Sequence, residues 1–266
     1  MVRGPRKHLK RLFAPKSWML GKEDGIYAPR ISSGPHKKTE SIPLCILLSK
    51  KLKIASTAKE VKYILDQRMV KVNNKVRTDE KFPVGVFDTI TIGEDKDHLR
   101  VMYNTEAKFV LKRITREQSL FKLAKVRGTD VRKGNVPFVY TNDGGCFRFC
   151  DQAIRAGDTV RIDFEQNRIV KSMKLDVGSV VYLINGKNRG SVGTVLEIEK
   201  NDLADNIIKM RDFNGRIFST IEKFLIAIGT ENNLEVDLLE NKGVKKSILE
   251  ISNEKYGNMI VAEETA

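Results

Sequence analysis

Short runs of alternating apolar and polar residues, each stopped by a turn signal, constrain this chain more than any other feature. From residue 98 onward Leu99, Val101 and Tyr103 alternate. Val136, Phe138 and Tyr140 do so before Asn142-Asp143-Gly144-Gly145, and Val160, Ile162 and Phe164 before Gln166-Asn167. A period of two sets one group of side chains on one face of a strand. Strands this short, repeated at close spacing, build small β-barrels or sandwiches. One helix is expected to interrupt them after Thr115, where Gln118 completes a capping box and Leu120, Leu123 and Ala124 form a stripe. At 266 residues the chain exceeds one small module, so more than one core is expected.

A different pattern precedes the strands. Leu44, Leu47, Leu48 and Leu52 recur at helical spacing, with Lys50, Lys51 and Lys53 off that stripe. Thr57-Ala58-Lys59-Glu60 is a second capping box, opening a helix expected to bury Val61, Ile64, Leu65 and Met69. Val70 to Val76 alternates around Asn73-Asn74, a pair that tolerates positive φ and predicts a tight hairpin. Asp88-Thr89-Ile90-Thr91-Ile92 reads as a closing strand. Two lysine-bearing helices beside a hairpin with Lys71, Lys75 and Arg77 form a concave positive surface.

The first 41 residues hold no sustained apolar period. Pro5, Pro15, Pro29 and Pro35, with Gly4, Gly21, Gly25 and Gly34 between them, exclude a regular packed element there. A basic arm with Phe13, Trp18 and Tyr27 interleaved can neutralise phosphates while its rings stack on bases or fill a protein groove. The competing reading is a disordered tail or a transit peptide, and Glu23, Asp24 and the prolines fit the latter poorly.

Lys and Arg total 48 against 34 Asp and Glu, a net charge of +14 that points to a polyanionic partner. Residues 1–41 carry +7, 42–104 carry +4 and 105–176 carry +6, whereas 177–225 carry +1 and 226–266 carry −4. The contact side is therefore expected in the amino-terminal three-fifths.

Other chemistries lack their residues. The longest apolar stretch, Ile42 to Leu48, falls far short of the roughly 20 residues that span a bilayer. No secretory h-region is visible in the basic first twenty residues, and three cysteines fit a reducing compartment. Cys146 and Cys150 fall in one expected strand and read as plain thiols rather than zinc ligands. Gly186-Lys187 is followed by Asn188 and lacks the first glycine of a P-loop, and Gly-x-Ser-x-Gly is absent. Asp158, Asp163 and Glu165 read as solvated strand faces. No catalytic residue, metal or cofactor is expected.

The run Leu48 to Lys53, then Thr57 to Glu60, then Arg68-Met69-Val70-Lys71-Val72-Asn73-Asn74-Lys75-Val76-Arg77 resembles the RNA-binding domain named after bacterial small-subunit ribosomal protein four. Gly178 to Ile184, joined through Asn185-Gly186-Lys187-Asn188-Arg189-Gly190 to Ser191 to Ile198, resembles a KOW motif of an SH3-like barrel. In that loop Gly190 is expected at a left-handed or close-approach position, and Lys187 and Arg189 are expected to reach a phosphate or base. The opening Met-Val-Arg-Gly-Pro-Arg-Lys-His-Leu-Lys-Arg-Leu, with Ala14-Pro15-Lys16-Ser17-Trp18-Met19-Leu20, Tyr27-Ala28-Pro29-Arg30 and Gly34-Pro35-His36-Lys37, closely resembles the eukaryotic-type small-subunit ribosomal protein four family. That likeness extends over essentially the whole chain. Family members generally end in a basic tail, whereas residues 226–266 here are acidic.

The resemblance implies an α+β, multidomain protein. Its expected parts are an extended basic arm (1–41), a helix-helix-hairpin RNA-binding module (42–97), a central β-rich domain (98–176), a KOW SH3-like barrel (177–225) and an acidic extension (226–266). The expected RNA contacts are Arg3, Arg6, Lys7, His8, Lys10, Arg11, Lys16, Trp18, Arg30, His36, Lys37 and Lys38 of the arm. To these are added Lys50, Lys51, Lys53, Lys59, Lys62, Arg68, Lys71, Lys75 and Arg77 of the module, and Lys187 and Arg189 of the loop. The implied role is structural: binding small-subunit ribosomal RNA beside neighbouring small-subunit proteins, with no membrane, small-molecule substrate or catalysis. The implied place is the cytoplasmic ribosome, with nucleolar passage if the source is a eukaryote. An RNA-modifying enzyme and a KOW-type transcription or RNA-processing factor are the alternatives.

Overall fold

The structure, a computed structural model, describes residues 7–93, 97–230, 233–253 and 256. Near the amino terminus β1 (Leu9–Lys10) pairs antiparallel with β2 (Tyr27–Ala28), and two single 3-10 turns, Arg11–Phe13 and Lys16–Trp18, lie between them. The arm is thus not the unpacked extension expected. Prolines and glycines bar long elements, but they do not bar wrapping around one large ring. Trp18 is fully buried and its indole Nε1 donates to the Ser41 carbonyl at 2.7 Å.

The next unit begins with β3 (Ser41–Pro43) and α1 (Leu44–Ile46), which continues as a π turn over Leu47–Lys51. Leu44, Ile46, Leu47 and Leu48 are buried and Lys50 is exposed, as the stripe predicts. α2 (Ala58–Asp66) opens on the expected capping box: the Thr57 hydroxyl accepts from the Glu60 N–H at 3.3 Å, and the Glu60 carboxylate accepts from the Thr57 and Ser56 amides. Val61 and Leu65 face inward, but Met69 is exposed because the helix has ended and the backbone turns left-handed at Arg68 (φ 57°).

β4 (Val70–Val72), β5 (Lys75–Val76), β6 (Pro83–Gly85), β7 (Thr89–Ile92), β8 (Asp97–Tyr103) and β9 (Phe109–Arg113) follow. β6 pairs with β3, and the others form one antiparallel sheet in the order β5-β4-β7-β8-β9. Strand pairing therefore continues across the break expected at 97/98.

The helix expected after Thr115 is one turn, α3 (Arg116–Ser119). Thr115 accepts from the Gln118 amide, but Leu123 and Ala124 belong to β10 (Phe121–Arg132), not to a helix. Phe121 through Val126 are all buried, and a strand covered on both faces shows no alternation to distinguish it from a helical stripe. β11 (Val136–Thr141), β12 (Cys146–Arg148), β13 (Thr159–Asp163) and β14 (Arg168–Met173) complete a second sheet, ordered β12-β11-β10-β13-β14.

The third sheet comprises β15 (Ser179–Leu183), β16 (Val192–Glu199), β17 (Ile207–Asp212), β18 (Ile217–Ile221) and β19 (Leu225–Thr230), ordered β18-β17-β16-β15-β19. β15 pairs with β19 from Leu183 opposite Leu225 to Ser179 opposite Thr230, so this sheet runs past the break expected at 225/226. Strands dominate the described residues and helices are few, which shifts the expected α+β balance toward β. The largest apolar cluster holds Leu9, Trp18, Leu48, Val72, Tyr103, Tyr182 and Val236, so the arm and the carboxyl-terminal segment share one core with the sheets. Among the described residues no helix is long and apolar enough to cross a membrane.

Candidate nucleic-acid interface

The β4–β5 hairpin turns on Asn73 and Asn74, both left-handed (φ 51° and 59°), the mirror-image turn that matches strand twist. The Asn73 side chain fastens it, donating to Asp88 Oδ1 at 2.8 Å and accepting from the Thr89 amide at 3.0 Å. With Val70 and Val72 buried on one face, Lys71 lies on the other, half-buried, and Lys75 is exposed. Arg77 is half-buried with its guanidinium 4.3 Å from the Phe82 ring centre.

On α2, Lys59 and Lys62 stand three residues apart and are neighbours on the helix surface, and both are exposed, whereas Val61 and Leu65 are buried. Arg68, exposed, follows at the left-handed residue. Among the described residues the side chains of Lys59, Lys62, Arg68 and Lys75 have neither ion-pair nor hydrogen-bond partners. Lys53, at φ 55°, is exposed just before them. This is a cluster of solvated cations on one folded unit.

The cations of α1 are engaged internally. Lys50 pairs with Asp24 of the arm, and the hydrogen bonds from Lys50 and the Gly21 amide pull the Asp24 carboxyl below its usual range. Lys51 is half-buried, 3.8 Å from the Met19 sulfur, and burial with nearby Lys108 pushes its ammonium down. In the arm Lys7, His8, Lys10, Lys16 and Lys37 are exposed, with the His8 ring 5.8 Å from Tyr27. Lys38 is exposed but donates to the Phe13 carbonyl at 2.9 Å; Arg11 donates to the Gly21 carbonyl, and Arg30 is half-buried. Arg3 and Arg6 lie outside the described residues.

Three of the expected contacts have their side chains engaged within the fold. Trp18 has no exposed face to offer a base. His36 is held by Asp88, Nε2 to Oδ2 at 2.8 Å, against the module's core. Arg189 donates to Asn185 Oδ1 at 2.7 Å and to the Thr39 carbonyl at 3.5 Å, and lies 4.9 Å from the Tyr103 ring centre, so it ties its loop to the arm. Lys187 is exposed. Gly190 is left-handed (φ 86°), and a Cβ there would sit 2.2 Å from the Asn104 carbonyl oxygen, the close approach expected of it.

A buried ionic group escaped the sequence reading. Asp88 accepts from His36, Asn73 and the Gly85 amide, and pairs with Lys122, which also pairs with Asp143. Burial alone would raise the Asp88 carboxyl; His36 and Lys122 outweigh it and hold the group far below the usual carboxylate range. The network joins arm, module and central sheet and rigidifies the platform under the hairpin. A single signal for it, an Asp at position 88 immediately before the alternating strand Thr89–Ile92, is visible in the sequence but names no partner.

Similarity to known proteins follows the same layout. Three family descriptions match in succession: the RS4NT (NUC023) domain over residues 3–39, the S4 domain over 43–90 and the ribosomal family S4e over 95–169. The chain is 43% identical over 250 residues to small ribosomal subunit protein eS4 of Lysiphlebus testaceipes, covering 94% of this chain and 95% of that one. It is 43% identical over 251 residues to the eS4 protein of Candida albicans, covering 94% and 96%. The crystal structure of 30S ribosomal protein S4e from Thermoplasma acidophilum superposes with a TM-score of 0.63 at 29% identity, over 74% of this chain and 99% of that one. With the arm, the module and the central sheet each matched in order, the chain belongs to the family of small ribosomal subunit protein eS4.

Proposed function

We propose that this protein is a structural constituent of the small ribosomal subunit and holds ribosomal RNA on the face built by α2 and the β4–β5 hairpin. The observation that carries this reading is the set of partnerless exposed cations Lys59, Lys62, Arg68 and Lys75 on a rigid unit. Lys7, Lys10, Lys16 and Lys37 of the arm are exposed as well and add to the cations open to RNA. Cations without internal partners release RNA counterions on binding, whereas paired ones first break a bond. An A-form duplex hides its base edges in a deep groove, so such a face reads shape and phosphate rather than sequence. We take the first helices and hairpin as the helix-helix-hairpin module, and the third sheet with its 185–190 loop as a KOW-type SH3-like barrel. The protein acts without catalysis, beside other small-subunit proteins, on the cytoplasmic ribosome, passing through the nucleolus if its source is a eukaryote.

The test is Lys59→Glu, Lys62→Glu and Lys75→Glu combined, read by RNA-binding titrations across salt concentration. The melting temperature stays near that of the parent, since surface changes of this kind stay within about 0.5 kcal/mol each. Affinity falls, and the log-log salt slope flattens by about 0.7 to 0.9 for each phosphate that is no longer neutralised. An unchanged slope in a folded variant rejects this face. Arg77 is a poorer probe because its stacking on Phe82 mixes packing with charge.

A further inference from the structure

The central sheet ends on two edge strands, β12 and β14, and both line one open cleft of about 640 Å³. The sheet therefore curls until its edges face each other. Phe147, Ile154 and Ile169 supply an apolar floor, and Arg148, Arg168 and Lys171 supply cations at the walls. Arg148 and Arg168 are exposed and have no side-chain partner among the described residues; Lys171 is shared with Glu235 at 2.5 Å. Among the described residues a single carboxylate, Asp151, lines the cleft, and one of its oxygens already accepts from the Ala153 amide at 3.0 Å.

At the end of β12 stands Phe149. Its backbone is left-handed (φ 56°), held by its amide donating to the Pro137 carbonyl at 3.1 Å, and its side chain is 78% exposed. A bulky residue at positive φ is strained, and a ring left in water gains nothing in return within the folded chain. Strain of this kind gathers where a ligand is gripped. We infer that Phe149 is a stacking platform and that the β12–β14 cleft takes an unpaired RNA strand, its bases on the ring and its phosphates on Arg148 and Arg168.

Three considerations favour this occupant. Ring and guanidinium groups side by side recognise single-stranded nucleic acid, because every base has a π face and every link a phosphate. The volume lies in the small-ligand range of roughly 300–1,000 Å³, room for single nucleotides and not for a duplex. A protein strand added to this edge is disfavoured, since β12 is only three residues long and its left-handed end breaks the extended template that strand addition needs. The inference rests on the RNA-binding reading above but concerns a separate surface and the opposite structural class of RNA.

The test uses the full chain with two fluorescent probes, a short unstructured RNA oligonucleotide and an RNA hairpin duplex. Phe149→Asn removes the ring and places at the left-handed position a residue that tolerates it. It melts no lower than the parent, yet binds the oligonucleotide roughly 5- to 150-fold more weakly, the range for one stacked base, while duplex affinity stays unchanged. Phe149→Trp retains oligonucleotide binding. Arg148→Ala with Arg168→Ala, at two exposed positions, weakens it and flattens its salt dependence. Oligonucleotide binding unaltered in both the Asn and the double-Ala variants overturns the cleft, as does a parent protein that binds only the duplex; in both cases the α2-hairpin reading survives. A parent protein that binds neither probe overturns both.

Discussion

The two ends of the chain carry opposite charge and are fastened by opposite means. The basic arm is anchored largely by apolar burial and neutral hydrogen bonding: Leu9, Trp18 and Ala28 are in the core, and the Trp18 indole is bonded to the Ser41 carbonyl. The acidic carboxyl-terminal segment is anchored largely by charge. Glu235 takes Arg161 at 2.9 Å and Lys171 at 2.5 Å, Asp237 accepts from Gln118 at 2.9 Å, and Lys112 donates to the Leu238 carbonyl at 2.6 Å. Where the arm does use charge, through Asp24 to Lys50 and His36 to Asp88, its own exposed lysines are not spent, and Lys7, Lys10, Lys16 and Lys37 are left for a polyanion. An anchor made of carboxylates occupies cations of the central sheet that would otherwise face solvent. The sign of a segment's charge thus says less about its partner than which of its residues hold it in place.

Removing the arm's anchor produces the largest effect. Trp18→Ala leaves a void beneath the arm and the Ser41 carbonyl without its donor, and costs about 4 kcal/mol, within the range for truncating a buried Trp. Chemical denaturation measures it. A loss below about 1 kcal/mol means that the arm is held by something other than its ring, and the contrast between the two ends dissolves.

Asp88 tests whether charge also fastens the arm, through His36. Asp88→Asn keeps the shape but leaves Lys122 with Asp143 alone, and costs about 3 kcal/mol, the lower part of the range for breaking a buried pair. The pH dependence has a definite sign. The Asp88 carboxyl is held below its unfolded value of about 3.9, so its contribution is complete above that pH and is lost as pH falls through and below it. Asp143, for which burial is outweighed by Lys122 and the Thr141 hydroxyl together, is also lowered and weakens in the same acid window. The gap between parent and variant should therefore be full at pH 7 and narrow near pH 3. A gap constant across that range assigns the loss to packing rather than to charge.

The hairpin and the capping box of α2 were legible because each rests on contacts within a few residues: Asn73-Asn74 can turn on their own, and Thr57 meets Glu60 one turn on. Lys59, Lys62 and Lys75 were legible as solvated cations for the same reason, since nothing nearby competes for them. Trp18 was not legible. A ring in a Pro/Gly segment has no period to say whether it meets a base or a core. Arg189 differs from Lys187 only in what lies near it, and that is the Thr39 carbonyl, 150 residues earlier in the chain. Leu123 and Ala124 read as helix because β10 is covered on both faces there. The left-handed backbone of Phe149 follows from the way β12 ends, which no residue preference announces.

The smallest effect on stability, and the sharpest on the contrast, comes from the other end. Glu235→Gln removes the charge that holds Arg161 and Lys171 while leaving the side chain's size, and Val236 stays buried beside it. Lys171 is largely solvated, so the change costs about 1 kcal/mol or less and fades as salt rises. The hydrogen bond from Lys171, helped by Arg161 and opposed by partial burial, holds the Glu235 carboxyl below its usual range. Its contribution is therefore present above the unfolded value of about 4.3 and lost as pH falls. The RNA readout moves the other way: two released cations strengthen binding at low salt and steepen the log-log slope by up to about 0.7 to 0.9 for each phosphate they neutralise. Weaker RNA binding by a folded Glu235→Gln variant would mean that the carboxylate positions those cations for RNA instead of occupying them. A stability loss as large as that of Trp18→Ala would mean that packing fastens both ends alike.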